Sequence, residues 1–349
     1  MRIGRILFDS PICQLCNHGK LLRPRIQVQV CLYSSQLAEV GKFEAPKFQG
    51  NYESGQLFLH KIFGYRGVVL FSWPAKLYDR DLGHKKSEPT VNNESGVGKY
   101  TSYHPSGRAI QGTTHAYYQV LIDERDFPFL RTQTENVTML GSQESSRSLY
   151  AIPGLDYVAH EDILPYVSAE KEPIRHELFD KFLTYNDEKD PHFLPRETLK
   201  AWMEKNYPWL ELSDVHRETT ENIRVTVIPF YMGCRESQNT TVYWWRYNIR
   251  LENLGTETVT LRERHWRIFS LSGTLETVKG RGVVGYEPVL STMVPAFQYS
   301  SHVSLQAPSG HMWGTFLMQR ENGDTFECRI PPFSLESKHE NGVSPVVIS

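Results

Sequence analysis

Apolar and polar residues alternate through one short segment after another in the last third of this chain, residues 221 to 336. The runs read NIRVTVIPFY, VYWWRYNIRLEN, ETVTLRERHWRIFS, AFQYSSHVSLQ, HMWGTFLMQR and TFECRIPPF, with turn residues between them. A period of two puts successive side chains on opposite faces of a strand, so the pattern predicts antiparallel strands, half buried and stacked as a sandwich. Such a stack offers broad surfaces and no obvious reaction chemistry. A binding role therefore stands ahead of an enzymatic one.

With 349 residues, 40% of them hydrophobic, the chain can bury one or two good cores, and its length favours two domains. The formal net charge of -2 gives no field that would gather phosphate backbone. No apolar run approaches the ~18 residues that span a bilayer. Residues 1 to 38 carry Arg2, Arg5, Lys20, Arg23 and Arg25 with Asp9 as the only acid. That is the charge pattern of a mitochondrial presequence, an unstructured basic tail being the bland alternative. Cys13 and Cys16 form a CxxC near His18, but no second pair of ligands follows to complete a tetrahedral metal site. Neither a metal nor a cofactor is expected.

Further motifs read as follows. GQLFLHKIFGYRGVVLFSW and HAYYQVLID are strands, with Gly64 and Gly67 flanking a turn. The stretch 82–112 is rich in Ser, Gly, Asn and Lys and reads as a mobile loop, and 132–148 reads similarly. Ile174, Leu178, Phe182 and Leu183 recur at helical spacing, as do Leu199, Trp202 and Met203 after Pro195. Those two faces call for cover by the domains on either side, a free helix awaiting a partner being the alternative. His160, Glu161 and Asp162 read as a solvated turn.

Gly280, Gly282 and Gly285 spell GxGxxG, yet Pro288 and a β-like continuation follow where a dinucleotide fold needs a helix. A tight loop between strands explains these glycines, and an anion nest beside Arg281 is the functional alternative. Gln56, Leu59, Ile62 and Phe63 fit the loose form of a clamp-binding box, but the same side chains fall where a core needs them. Tyr243, Trp244, Trp245 and Tyr247 put large rings on both faces of one strand. One face fills the sandwich; the other, carried by Trp244 or Trp245, packs at a domain interface or stays exposed as an interaction hot spot.

TVKGRGVVGYEPVL, FQYSS, SGHMWGTF and IPPFSL, in this order, resemble the ApaG domain, a sandwich of the immunoglobulin or fibronectin-like kind. GQLFLHKIFGYRGVVLFSW, HAYYQVLID and YAIPGLDYVAHEDILPY resemble the small antiparallel barrel of the YccV-like, hemimethylated-DNA-binding family. From Asn51 to Ser168, however, eleven Lys and Arg face thirteen Asp and Glu, so DNA binding does not carry over from the barrel's namesake. The pairing of the two resembles the polymerase delta-interacting protein family from about Asn51 to Ser337. The expected organisation is a presequence and linker at 1–50, a barrel at 51–168, a helical connector at 169–212, a sandwich at 213–337 and a tail at 338–349. The resemblance implies a non-catalytic adaptor of the mitochondrial matrix and nucleus, supporting DNA damage tolerance and translesion synthesis. Its implied partners are the DNA polymerase delta small subunit, the PCNA sliding clamp, primase-polymerase and mitochondrial ClpX. The alternative is a small-ligand binder or enzyme of pyrophosphate or nucleotides using the glycine loop.

Overall fold

A computed structural model of the protein describes residues 3–11, 33–81, 100–103, 109–130, 135–138, 150–211, 213–237 and 240–337. Cys13, Cys16 and His18, most of 82–112 and 132–148, and the tail 338–349 lie outside the described residues. Within the two polar stretches, Tyr100–Tyr103 pairs with the strand Ala109–Ile122, and Glu135–Thr138 pairs with Tyr150–Pro153. Ile3–Pro11 pairs antiparallel with Tyr33–Phe43, so residues 39–43 of the expected linker close a strand, and Val40 is buried.

The first half is built on the strand Arg66–Asp79, flanked by Leu57–His60 on one side and Ala109–Ile122 on the other. Leu155–Ala159 joins beyond Ala109–Ile122, and Ile163–Val167 joins beyond Leu57–His60. No pairing between Leu155–Ala159 and Ile163–Val167 occurs among the described residues, so the expected barrel does not close through its hydrogen bonds. Both faces of Arg66–Asp79 are covered, which is why VVLFSW reads as an almost unbroken apolar run. Val69 joins Phe58, Tyr65, Tyr118 and Ile163 on one side, while Val68, Leu70 and Trp73 face the connector on the other. Burying each such side chain contributes about 1.5–3 kcal/mol. Gly67 has a packing role where a turn was expected, because a β-carbon there would lie 2.7 Å from the Phe58 ring.

The connector departs from expectation. Only Phe179–Phe182 turns as a helix in the first predicted stretch; Leu183–Tyr185 is already extended and pairs with Phe193–Pro195. Pro195 thus ends a strand, and the second helix starts after it, at Glu197–Leu210. The apolar faces are covered as the pattern demands: Ile174, Phe179, Phe182, Leu183 and Leu199 share one core with Trp73, Val215, Ile228 and Phe230. Trp202 donates its indole N–H to Gln119 at 2.9 Å.

The second half is the predicted sandwich. Val215–Thr220, Ile223–Ser237, Thr240–Asn253 and Ala296–Leu305 form one layer, and Leu275–Arg281, Val259–Ser270, Ser309–Arg320 and Thr325–Glu336 form the other. Val225, Val227, Ile249, Leu251, Trp266, Phe316 and Phe333 fill the space between them. The two halves are also one sheet, since Val215–Thr220 pairs in parallel with the end of Arg66–Asp79, Val215 opposite Leu77. A shared ladder and a shared core hold the domains in a single orientation.

Candidate functional site

Gln56 is buried, and its amide donates toward the carbonyls of Leu57 and Tyr166 at 3.2 and 3.5 Å. Leu59 is half-buried within Leu57–His60. Phe63 is half-buried, stacks near Tyr65, and carries the Arg250 guanidinium 5.4 Å from its ring centre. Ile62 lines a cavity between the domains. The four residues of the clamp-box reading thus lie in the strand and at the domain junction, Gln56 buried and Leu59, Ile62 and Phe63 half-buried.

The aromatic run divides by face. Trp245 is 1% exposed, packs on Tyr231 and Tyr243, and donates its indole N–H to the Glu336 carbonyl at 3.1 Å. It is a core residue of the sandwich, which corrects its candidacy for partner binding. Trp244, on the other face, is 36% exposed. The same face further along the strand, from Arg246 to Glu252, meets the first domain.

Charged and aromatic groups make up that junction. Arg246 is buried, its guanidinium 4.7 Å from the ring of Phe230 and 5.4 Å from that of Tyr157, which stack on each other at 4.6 Å. Arg250 donates to Asp162 at 2.6 Å and to Glu252 at 3.1 Å. Burial pushes the Asp162 carboxyl up, but Arg250 and its hydrogen bond outweigh burial and hold it below the usual carboxylate range. Asp162 thus belongs to the junction, not to a solvated turn, because His160–Asp162 is one tight 3-10 turn that delivers it inward. Asp156 accepts from Gln298 at 3.2 Å, and burial raises its pKa to about 6. Sequence reading passed over Arg217, Arg224, Thr226, Arg250 and Gln298 as site residues. Their signal was the second phase of the alternation, polar at every other position opposite Val225, Val227, Ile249 and Leu251.

The glycine loop is internally satisfied. The N–H groups of Gly282, Val283 and Tyr286 donate to the carbonyls of Arg262, Tyr286 and Val283 at 2.7, 2.8 and 2.8 Å. Arg281 pairs with Glu287, which also accepts from Arg262 at 2.6 Å, and Arg264 donates to the carbonyls of Arg281 and Gly282 at 3.1 and 2.8 Å. Of the groups an anion nest at Gly280, Arg281, Gly282 and Gly285 would need, these bonds engage the Gly282 N–H and the Arg281 side chain. Gly282 sits at φ +58, and a β-carbon there would meet the Tyr286 carbonyl oxygen at 2.2 Å. Gly282→Val should therefore destabilise the protein by about 1–3 kcal/mol, read as a lowered urea midpoint, while Arg281→Ala leaves the unfolding free energy within about 0.5 kcal/mol of the wild type.

Exposed apolar side chains follow in and just after this loop. Val283 and Leu290 are fully buried and pin the segment, while Tyr286, Val289 and Met293 stand 57%, 47% and 88% exposed. Large apolar side chains on a fixed backbone are what an interaction hot spot requires, since little ordering entropy remains to be lost on contact.

The YccV-like family, described as hemimethylated DNA-binding protein YccV like, matches residues 50–190, and the ApaG domain family matches residues 234–320. Over 311 residues the chain is 66% identical to "Polymerase delta-interacting protein 2" of Homo sapiens, covering 88% of this chain and 82% of that protein. Its Mus musculus counterpart is 65% identical over the same length. "Protein ApaG" of Rhodospirillum centenum is 44% identical over 125 residues, 36% of this chain and 95% of that protein.

Proposed function

Because the chain belongs to the polymerase delta-interacting protein 2 family, we propose that it is a non-catalytic adaptor that binds DNA polymerase delta through that enzyme's small subunit. The observation that carries the reading is the exposure of the apolar side chains Tyr286, Val289 and Met293 along a segment anchored by the buried Val283 and Leu290. A rigid two-domain body with such side chains suits docking between proteins, and the relatives' printed name supplies the partner. The finer reading extends this to the PCNA sliding clamp, primase-polymerase and support of translesion synthesis under DNA damage. It also includes a nuclear pool and a mitochondrial matrix pool in contact with ClpX, reached by a presequence cut near residues 34 to 52.

The test is capture of the purified small subunit by the full chain. Tyr286→Ala combined with Met293→Ala should weaken capture by at least about tenfold while moving stability by no more than about 1 kcal/mol, since both side chains are largely in water. Unchanged capture would remove these side chains from the reading. N-terminal sequencing of protein recovered from the matrix tests the presequence, and an intact Met1 there would overturn it.

A further inference from the structure

A cavity of about 180 Å³ lies between the two domains, lined among others by Arg217, Arg224, Thr226 and Arg250 of the sandwich and by Lys61 and Asp162 of the first domain. Its sandwich wall is a cross-strand row. Arg217 stands opposite Thr226, Thr226 opposite Arg250, and Arg250 opposite Gln298, so four neighbouring strands place these side chains side by side. Their sequence neighbours Val225, Val227, Ile249 and Leu251 enter the sandwich core, which fixes this row on the face toward the first domain.

Two features of the row point to a guest. The Nε atoms of Arg217, Arg224 and Arg250 and the hydroxyl of Thr226 are buried without a hydrogen-bond partner, and Thr226 as a whole is only 6% exposed. Buried donors without acceptors are costly and rare, and four around one cavity call for something that brings acceptors. The charges are also unequal: Lys61, Arg217, Arg224 and Arg250 line the cavity against Glu161, Asp162 and Glu252, a surplus of one positive charge in the lining, although Asp79 also pairs with Arg217 at 3.9 Å. The three lining carboxylates are all engaged, Asp162 and Glu252 by Arg250 and Glu161 by Arg217. Arg224 is left with neither an ion pair nor a hydrogen bond among the described residues, and Lys61 also lacks a carboxylate there. Water would supply acceptors but no countercharge.

We infer that this interdomain cavity binds a small oxyanion, held by the Arg217–Thr226–Arg250 row with Arg224 and Lys61 as the cations that have no carboxylate partner. The volume equals that of about six water molecules, which admits phosphate or a short dicarboxylate. Because both domains line the cavity, occupancy ties them together. Binding therefore raises the unfolding temperature of the whole chain by mass action.

Calorimetric titration of the full chain with inorganic phosphate, and separately with succinate, tests this, with ionic strength held constant by sodium chloride. Saturable one-to-one binding with a dissociation constant below about 1 mM is expected for at least one of them, and the two arms distinguish phosphate from carboxylate chemistry. Arg224→Gln and Thr226→Val should each weaken it by about tenfold or more, whereas Arg267→Gln, on an exposed side chain of the far layer, should leave it unchanged. Hydrogen exchange of the wild-type chain should slow on anion binding in 215–228 and 248–252, a readout that stands even where a variant fails to fold. No saturable heat with either anion overturns the inference. So does binding that survives both variants, or protection confined to other segments.

Discussion

Truncating Phe230 to alanine should lower the unfolding free energy by about 3–5 kcal/mol, and it should do so for both domains at once. Phe230 is buried, stacks on Tyr157 at 4.6 Å and carries the Arg246 guanidinium at 4.7 Å. Although it lies on the sandwich strand Ile223–Ser237, it packs in the core that contains Val68, Leu70 and Trp73 of the first domain. The truncation therefore opens a cavity under both halves and leaves Arg246 with one ring where it had two. Amide exchange followed by mass spectrometry is the measurement, with Val68–Leu70 reporting one domain and Ile249–Leu251 the other. Both should lose protection to the same extent. Loss confined to the sandwich strands would mean that the ladder between Val215 and Leu77 couples the domains only weakly.

That shared core also marks the boundary of what the sequence discloses. Alternation in YNIRLEN and NIRVTV names the inward residues Ile249, Leu251, Val225 and Val227, because a period of two has only two phases and the apolar one must be the core. The polar phase carries no such label. Trp244 and Trp245 point to a domain interface or an exposed hot spot on this strand, and nothing local in Arg246, Asn248, Arg250 and Glu252 says which. The same blindness made Asp162 look like a surface acid, since its partner Arg250 is 88 residues away. The first connector helix failed for a related reason: the spacing of Ile174, Leu178 and Phe182 is satisfied by a single helical turn followed by a strand, since both put apolar groups against one core. The glycine loop was legible because its requirement is local. Gly282 needs a left-handed backbone and room beside the Tyr286 carbonyl, and both follow from a tight turn between strands.

Acid should unfold the protein abruptly, with little warning between pH 6 and 4. His60 and His216 are buried and held neutral, burial lowering each pKa to about 3. The His60 Nδ1 accepts from the N–H groups of Ile62 and Phe63 at 3.1 and 3.2 Å, and His216 stacks on Tyr78 with Arg80 nearby. In the unfolded chain a histidine titrates near ~6.5, so below that pH the unfolded state holds a proton that the native state refuses, and stability falls as pH falls. Asp156 and Asp214 act in the opposite sense. Burial raises both to about 6, so between that pH and the unfolded value near ~3.9 the native state binds the extra proton, and stability rises as pH falls. Two groups of each sign offset one another from about pH 6 to 4. Below about 4 the carboxyls are protonated in both states and the histidines act alone, costing about 2.7 kcal/mol per pH unit for two protons. Asp162, held low by Arg250 despite burial, adds to the same loss as it takes up its proton. Urea midpoints measured from pH 7 to 3 should therefore stay nearly level down to about 4 and then drop steeply, and His216→Gln should reduce the slope of that drop by about half. A decline at full slope beginning near pH 6.5 would show that Asp156 and Asp214 ionise normally, and a level profile down to pH 3 would show that the two buried histidines accept protons without unfolding the chain.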